Sequence, residues 1–148
     1  MYFVDRKTIE EKLSIMDEYL QFYNGKKEWN SFEDKLSLER VVHIVIEAII
    51  DVGNSLIDGF IMRDPGSYED IINILLDEKV IAEKDADSFK EVVSLRTMVV
   101  RDYTNIDHEH MKQIFTVHAE SLMNFAPSVS QYLKNELGHV TAFIPEQK

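Results

Sequence analysis

Apolar residues recur at spacings of three and four along most of the chain, and no segment alternates with a clean period of two. Such spacing is the mark of amphipathic helices. The first helix is expected over about residues 5–23, with Asp5 as cap, Ile9, Leu13, Met16, Leu20 and Tyr23 on one face, and Asn24-Gly25 as its stop. The second follows Ser31, which with Asp34 makes a Ser-x-x-Asp capping signal, and runs to about residue 61. Its middle, with Val41, Val42, Ile44, Val45, Ile46, Ile49 and Ile50, is apolar nearly all round, so this helix is expected to be central or to lie at an interface. One polar line crosses it: His43, Glu47, Asp51, Asn54 and Asp58, at spacings of four, four, three and four, which places them on a single face.

The rest of the chain continues the pattern. "RDPGSYED" reads as a loop, with a turn at Pro65-Gly66 and with Ser67 and Asp70 opening a third helix over about 68–78. A fourth helix is expected over about 85–103, and a fifth from the Asp107 cap to about 125. Pro127 should then kink the fifth helix or start a sixth that ends near Leu137-Gly138. The expected fold is all-α: an antiparallel bundle of five or six helices in a single domain over 1–138, followed by an irregular tail over 139–148.

Composition narrows the class. The 148 residues are 45% hydrophobic and 29% charged, which suits one ordinary domain with a real core. There is no cysteine, so disulfide and thiolate chemistry are excluded. The opening "MYFVDRKTIEEK" has neither a basic n-region nor an apolar h-region, so no signal peptide is expected, and a cytoplasmic protein is the simplest reading. The longest apolar run, "VVHIVIEAII", is interrupted by His43 and Glu47 and is too short for a membrane span. The net charge of −11 argues against tight non-specific binding of nucleic acid, whose affinity comes mainly from Lys and Arg on phosphate. Any RNA hypothesis must therefore name a local cationic site.

That requirement directs attention to "SLRTMVVRDYTNID", residues 94–107. Phe89, Val92, Arg96, Val99 and Tyr103 recur at three, four, three and four, so Arg96 falls on an apolar stripe. A guanidinium there needs a carboxylate or a phosphate to satisfy its five donors. The polar line of the second helix offers Glu47, Asp51 and Asp58, with Glu47 and Asp51 favoured, and with Asn54 and Asp102 as further supporting groups. Arg101 is five residues on, so an ideal helix turns it by about 140° from Arg96. The two share a pocket only if the helix frays or tightens there, or if two copies of the helix meet at a dimer interface. Taken alone, Arg101 and Asp102 would be a solvated helix end, and Tyr103 a core residue with its hydroxyl reaching water.

His43 and Glu47, at i and i+4, are expected as internal hydrogen-bond partners rather than metal ligands, since a metal site needs three or more ligands. His108 and His110 point about 200° apart on a helix and cannot chelate one ion, and with His118 they are expected as exposed helix histidines. There is no nucleophile elbow, Gly-rich phosphate loop or CxxC-type metal motif, so no cofactor and no metal are expected.

Two stretches, "RDPGSYEDIINILLDEKVI" and "LRTMVVRDYTNID", resemble the HepT-like family of the HEPN superfamily, in its YutE-type subgroup, and the resemblance covers most of the chain. It implies an all-α homodimer with a cleft at the dimer interface. It also implies a metal-independent RNA endonuclease of a toxin–antitoxin system, partnered by a small nucleotidyltransferase antitoxin that adds AMP to a signature tyrosine. The family signature is Arg, four residues, His, one residue, Tyr. Carried over, the arginine is Arg96 and the tyrosine, also the modification site, is Tyr103, while Arg101 stands in the histidine's position. Arginine stays protonated and cannot act as a base, although it can bind a phosphate and stabilise developing charge. Losing one positioned acid–base group costs about 10²–10⁴-fold in rate. The alternative reading is a catalytically inactive HEPN dimer, an RNA- or protein-binding module still paired with a nucleotidyltransferase.

Overall fold

A computed structural model of the chain describes residues 4–137, which hold seven helices and no strand. They are α1 (Arg6–Gly25), α2 (Phe32–Gly59), α3 (Tyr68–Asp77), α4 (Glu83–Ser94), α5 (Arg96–Val100), α6 (His108–Val117) and α7 (Ala119–Leu137). The expected helix stop at Gly138 and the tail over 139–148 lie outside the described residues.

Local chemistry sets the helix starts. Asp5 accepts from the Thr8 amide at the head of α1, and Asp107 from the His110 amide at the head of α6. Ser31 and Asp34 form a reciprocal capping box for α2. Ser67 accepts from the Asp70 amide to open α3. All four were legible because the cap needs only residues three apart. Two helices close through a residue in the left-handed region, Ile61 (φ 56°) after α2 and Lys79 (φ 61°) after α3. There the amides of Met62 and Val80 reach back to the carbonyls of Ile57 and Leu75, satisfying the end of each helix.

α2 is the spine. α1 packs along it, and α3, α4, α5 and α6 also rest on it, while α7 closes the bundle against α1 and α4. Val42, Val45, Ile46, Ile49, Val52 and Leu56 are fully buried, which answers to the nearly all-round apolar pattern of this helix. Tyr23 ties α1 to α6: its ring stacks on Trp29 and meets Phe115 edge-on, and its hydroxyl donates to the Lys112 carbonyl and pairs with Thr116.

Two helices break where the periodicity shows no break. The expected fourth helix divides at Leu95. The Ser94 hydroxyl donates to the Glu91 carbonyl at 2.6 Å, the acceptor that the Leu95 amide would use in a continuing α-helix. The Leu95 amide bonds Val92 instead, one residue tighter, and α5 begins at Arg96. The expected fifth helix divides at His118, not at Pro127, and α7 runs through Pro127 to Leu137. His118 is not an exposed histidine: its ring nitrogens contact Ser88 and Glu91 of α4. His108 is likewise half-buried and meets Glu39 of α2 at 2.6 Å, whereas His110 is exposed. The bend at His118 thus coincides with a tertiary tether that no local pattern announces.

α3 is seated by a close approach. A Cβ on Gly53 of α2 would fall 2.5 Å from Cγ2 of the buried Ile71. The loop before α3 is clamped by Arg63, which donates to both carboxylate oxygens of Asp70 at 2.7 and 2.9 Å, while the Gly66 amide donates to the same carboxylate. These hydrogen bonds, Arg63 first, hold the Asp70 carboxyl well below the usual carboxylate range.

Two expectations follow for α3. Gly53→Ala gains about 1 kcal/mol in helix propensity but overpacks the contact with Ile71, at a cost of about 1–3 kcal/mol. A net fall in Tm is expected in a thermal melt, and an unchanged or raised Tm would show that Ile71 yields freely. For Asp70, whose folded-state pKa is depressed, the stability contribution is fully present above the unfolded carboxylate value of about 3.9 and is lost as pH falls toward the folded value. The stability gap between wild type and Asp70→Asn in chemical denaturation should therefore be constant from pH 7 to about 5 and close only below about 4. A gap that closed near neutrality would contradict the clamp.

Candidate functional site

Arg96 is the first residue of α5 and lies directly across from the polar line of α2. Its Nε donates to Oε1 of Glu47 at 2.9 Å, and both side chains are about three-quarters buried, at 26% exposure each. The guanidinium carbon also lies 4.7 Å from the ring centroid of Tyr68, the first residue of α3, in a cation–π contact. The same Glu47 Oε1 meets Nε2 of His43 at 3.4 Å, one helical turn back on α2. One carboxylate oxygen thus accepts from a guanidinium and lies beside an imidazole. The hydrogen bond of Arg96 is made through Nε, so neither terminal Nη group has a partner among the described residues.

Arg96 opens α5 and Arg101 caps it, with a helical turn between them, and both long side chains line one open cleft of about 510 Å³. Ser94 and Thr97 form the wall between them, and Ser67, Tyr68 and Glu69 at the head of α3 form the opposite wall. α5 ends as the amides of Arg101 and Asp102 both bond the Thr97 carbonyl, and a further turn follows from Asp102 to Asn105. Arg101 is exposed and makes no ion pair among the described residues, so its charge is available to an anion in the cleft.

The other site residues read from the sequence are placed as follows. Asp51 pairs with Lys12 of α1 at 3.6 Å rather than with Arg96. Asn54 is half-buried, and Asp58 and Asp102 are exposed, none of them bonded to Arg96 through its side chain. Tyr103 is 69% exposed and is not part of the cleft wall. Two residues were not singled out for the site: Tyr68, hidden in a stretch read as loop and helix start, and His43, whose i, i+4 spacing to Glu47 was visible but read as internal. Among the described residues no three His, Asp or Glu groups are arranged to hold a metal ion, and no helix is long and apolar enough to cross a membrane.

Comparison with known proteins agrees with this architecture. The family model described as "Ribonuclease HepT-like" matches residues 9–129. The chain is 43% identical over 143 residues to the Bacillus subtilis (strain 168) protein named "Putative RNase YutE", covering 97% of this chain and 99% of that one. The solved structure of YutE from Bacillus subtilis, described as a cytosolic protein of unknown function, superposes with a TM-score of 0.92 at 43% identity, over 97% of this chain and 100% of that one. A tri-AMPylated Shewanella oneidensis HEPN toxin, solved in complex with its MNT antitoxin, shares the fold with a TM-score of 0.72 at 21% identity, over 83% and 96% of the two chains. The chain belongs to the HepT-like ribonuclease family.

Proposed function

We propose that this protein is the toxin-type member of a toxin–antitoxin pair and acts as a metal-independent RNA endonuclease at the Arg96–Arg101 cleft. The observation that carries the reading is Arg96 itself: a cation fixed by Glu47 and Tyr68, with its terminal amines unengaged, beside a second unpaired arginine on the same cleft wall. Two guanidiniums about one cleft suit a phosphodiester, because they bind its oxygens and stabilise the charge that builds during displacement at phosphorus. The remaining surface of a chain with net charge −11 repels RNA, so productive approach is confined to this cleft.

A second copy of the chain completes the cleft in this reading. α5 carries Met98, Val99 and Val100, yet no residue of α5 is fully buried, and Ile44 of the adjacent α2 face is also left part-exposed. An apolar strip beside a charged cleft is suited to burial against its own copy. The Shewanella toxin was solved AMPylated and bound to an MNT antitoxin. By that likeness the partner here is a small nucleotidyltransferase, and the exposed phenol of Tyr103 is the group it modifies.

Arg101 in the histidine's place favours one other reading, a binding module without catalysis, and kinetics separate the two. On a single-stranded RNA oligonucleotide without added metal, wild type should cleave and slow growth when expressed alone. Arg96→Ala should lose about 10²–10³-fold, the cost of removing one charge-stabilising donor. Arg101→Ala should weaken RNA binding and flatten its salt dependence, since one phosphate contact is gone. Wild-type protein that binds RNA but never cleaves it would overturn the endonuclease in favour of the binding module. Sedimentation at micromolar concentration should give twice the 17.3 kDa chain mass, and a stable monomer would overturn the shared cleft.

A further inference from the structure

We propose that His43 supplies the proton-transfer group of this cleft, in place of the histidine that the signature replaces with Arg101; the inference rests on the endonuclease reading. The case is geometric. Glu47 Oε1 receives Arg96 Nε at 2.9 Å and lies 3.4 Å from His43 Nε2, so imidazole and guanidinium are neighbours on one carboxylate. Neither ring nitrogen of His43 makes a hydrogen bond among the described residues, so the neutral ring keeps an unengaged lone pair. The side chain is 36% exposed and lies behind Arg96, outside the residues that line the cleft itself. A carboxylate beside an imidazole that keeps a free lone pair is a setting general bases use.

Position along α2 adds a second line of support. Glu39, His43 and Glu47 are successive turns of one face. Arg96, at the start of α5, is fixed to Glu47, and His108, at the start of α6, is fixed to Glu39. The segment from 96 to 108, which carries Arg101 and Tyr103, is therefore anchored at both ends on this face, with His43 between the anchors. On its own helix His43 has Glu47 in contact and Glu39 and Arg40 one turn back, and the two glutamates carry Arg96 from α5 and His108 from α6.

The step balances without metal. A phosphate held on the Arg96 Nη groups and Arg101 presents its flanking ribose to His43. Nδ1 takes the 2′-hydroxyl proton, O2′ forms a bond to phosphorus, and the P–O5′ bond breaks. The departing oxygen takes its proton from water, and the proton on His43 returns to solvent. The products are a 2′,3′-cyclic phosphate and a 5′-hydroxyl. Arg101 serves as an anion clamp and transfers no proton.

The test is single-turnover cleavage of a single-stranded RNA oligonucleotide by the full-length protein, with binding measured on its 2′-deoxy counterpart. His43→Ala and His43→Gln should each slow cleavage by about 10²–10⁴-fold while binding of the deoxy strand is retained, and the glutamine variant keeps a donor toward Glu47. Wild type should show an acid limb in its pH–rate profile that both variants lose, and added imidazole should restore part of the rate of His43→Ala. If His43→Ala cleaves at the wild-type rate while Arg96→Ala does not, the role of His43 is overturned and the endonuclease stands. If the His43 variants are slow but keep the acid limb, and imidazole restores nothing, His43 only braces Glu47 and the proposal fails. If wild type leaves the strand intact, the endonuclease and this inference fall together.

Discussion

The ion pair between Arg96 and Glu47 is the constraint around which the site is organised. α2 is buried on nearly every side, and its polar line faces neighbouring helices as much as solvent. Glu47 there is stable only if its charge is matched, and Arg96 on the opposing apolar stripe has the same need. Each desolvates the other's surroundings, so the pair lies between the ~0–1 kcal/mol of a surface bridge and the ~3–5 kcal/mol lost when one member of a buried pair is removed. Its main consequence is positional. It fixes the first residue of α5 against a known turn of α2, and Tyr68 covers the guanidinium from the head of α3. Since the bond to Glu47 uses Nε alone, the cation is immobilised without being consumed.

The cleft also takes shape at the end of α4. Ser94 takes the carbonyl that the next amide required, and the ladder tightens by one residue there. Both arginines follow on α5 and line one cavity. α3 brings the other wall close because Gly53 leaves room for Ile71. A side-chain-to-backbone bond, an ion pair and a missing Cβ together shape a site whose members come from three helices.

Legibility from sequence followed the range of each interaction. Helix starts at Asp5, Ser31, Ser67 and Asp107 were readable because a cap and its amide lie three residues apart. The central role of α2 was readable from its composition, and Glu47 from its place on the polar line opposite Arg96. The breaks at Leu95 and His118 were not, because periodicity continues across both. One is marked by a single serine that could equally have pointed to solvent, the other by contacts to Ser88 and Glu91 some thirty residues away. Pro127 shows the converse: a strong local signal that the helix accommodates, since α7 continues to Leu137. Asp51 was a reasonable candidate for Arg96 by spacing, but Lys12 of α1 reaches it, and only the packing of α1 on α2 decides that.

In the proposed reading, Arg101 in the signature histidine's position changes how work is divided in the cleft rather than only subtracting from it. It adds a permanent charge beside Arg96 on a chain whose net charge is −11, and so would strengthen the cleft's attraction for a polyanion. What it cannot provide is a lone pair. A cleft with two cations and no titratable base would grip a phosphodiester and stop there. Glu47 alters that balance because its single oxygen reaches both the cation and an imidazole. Charge stabilisation and proton transfer then need not come from one segment of chain. The segment 96–101 supplies the cations, and α2 supplies the carboxylate that pairs with one of them and lies beside an imidazole.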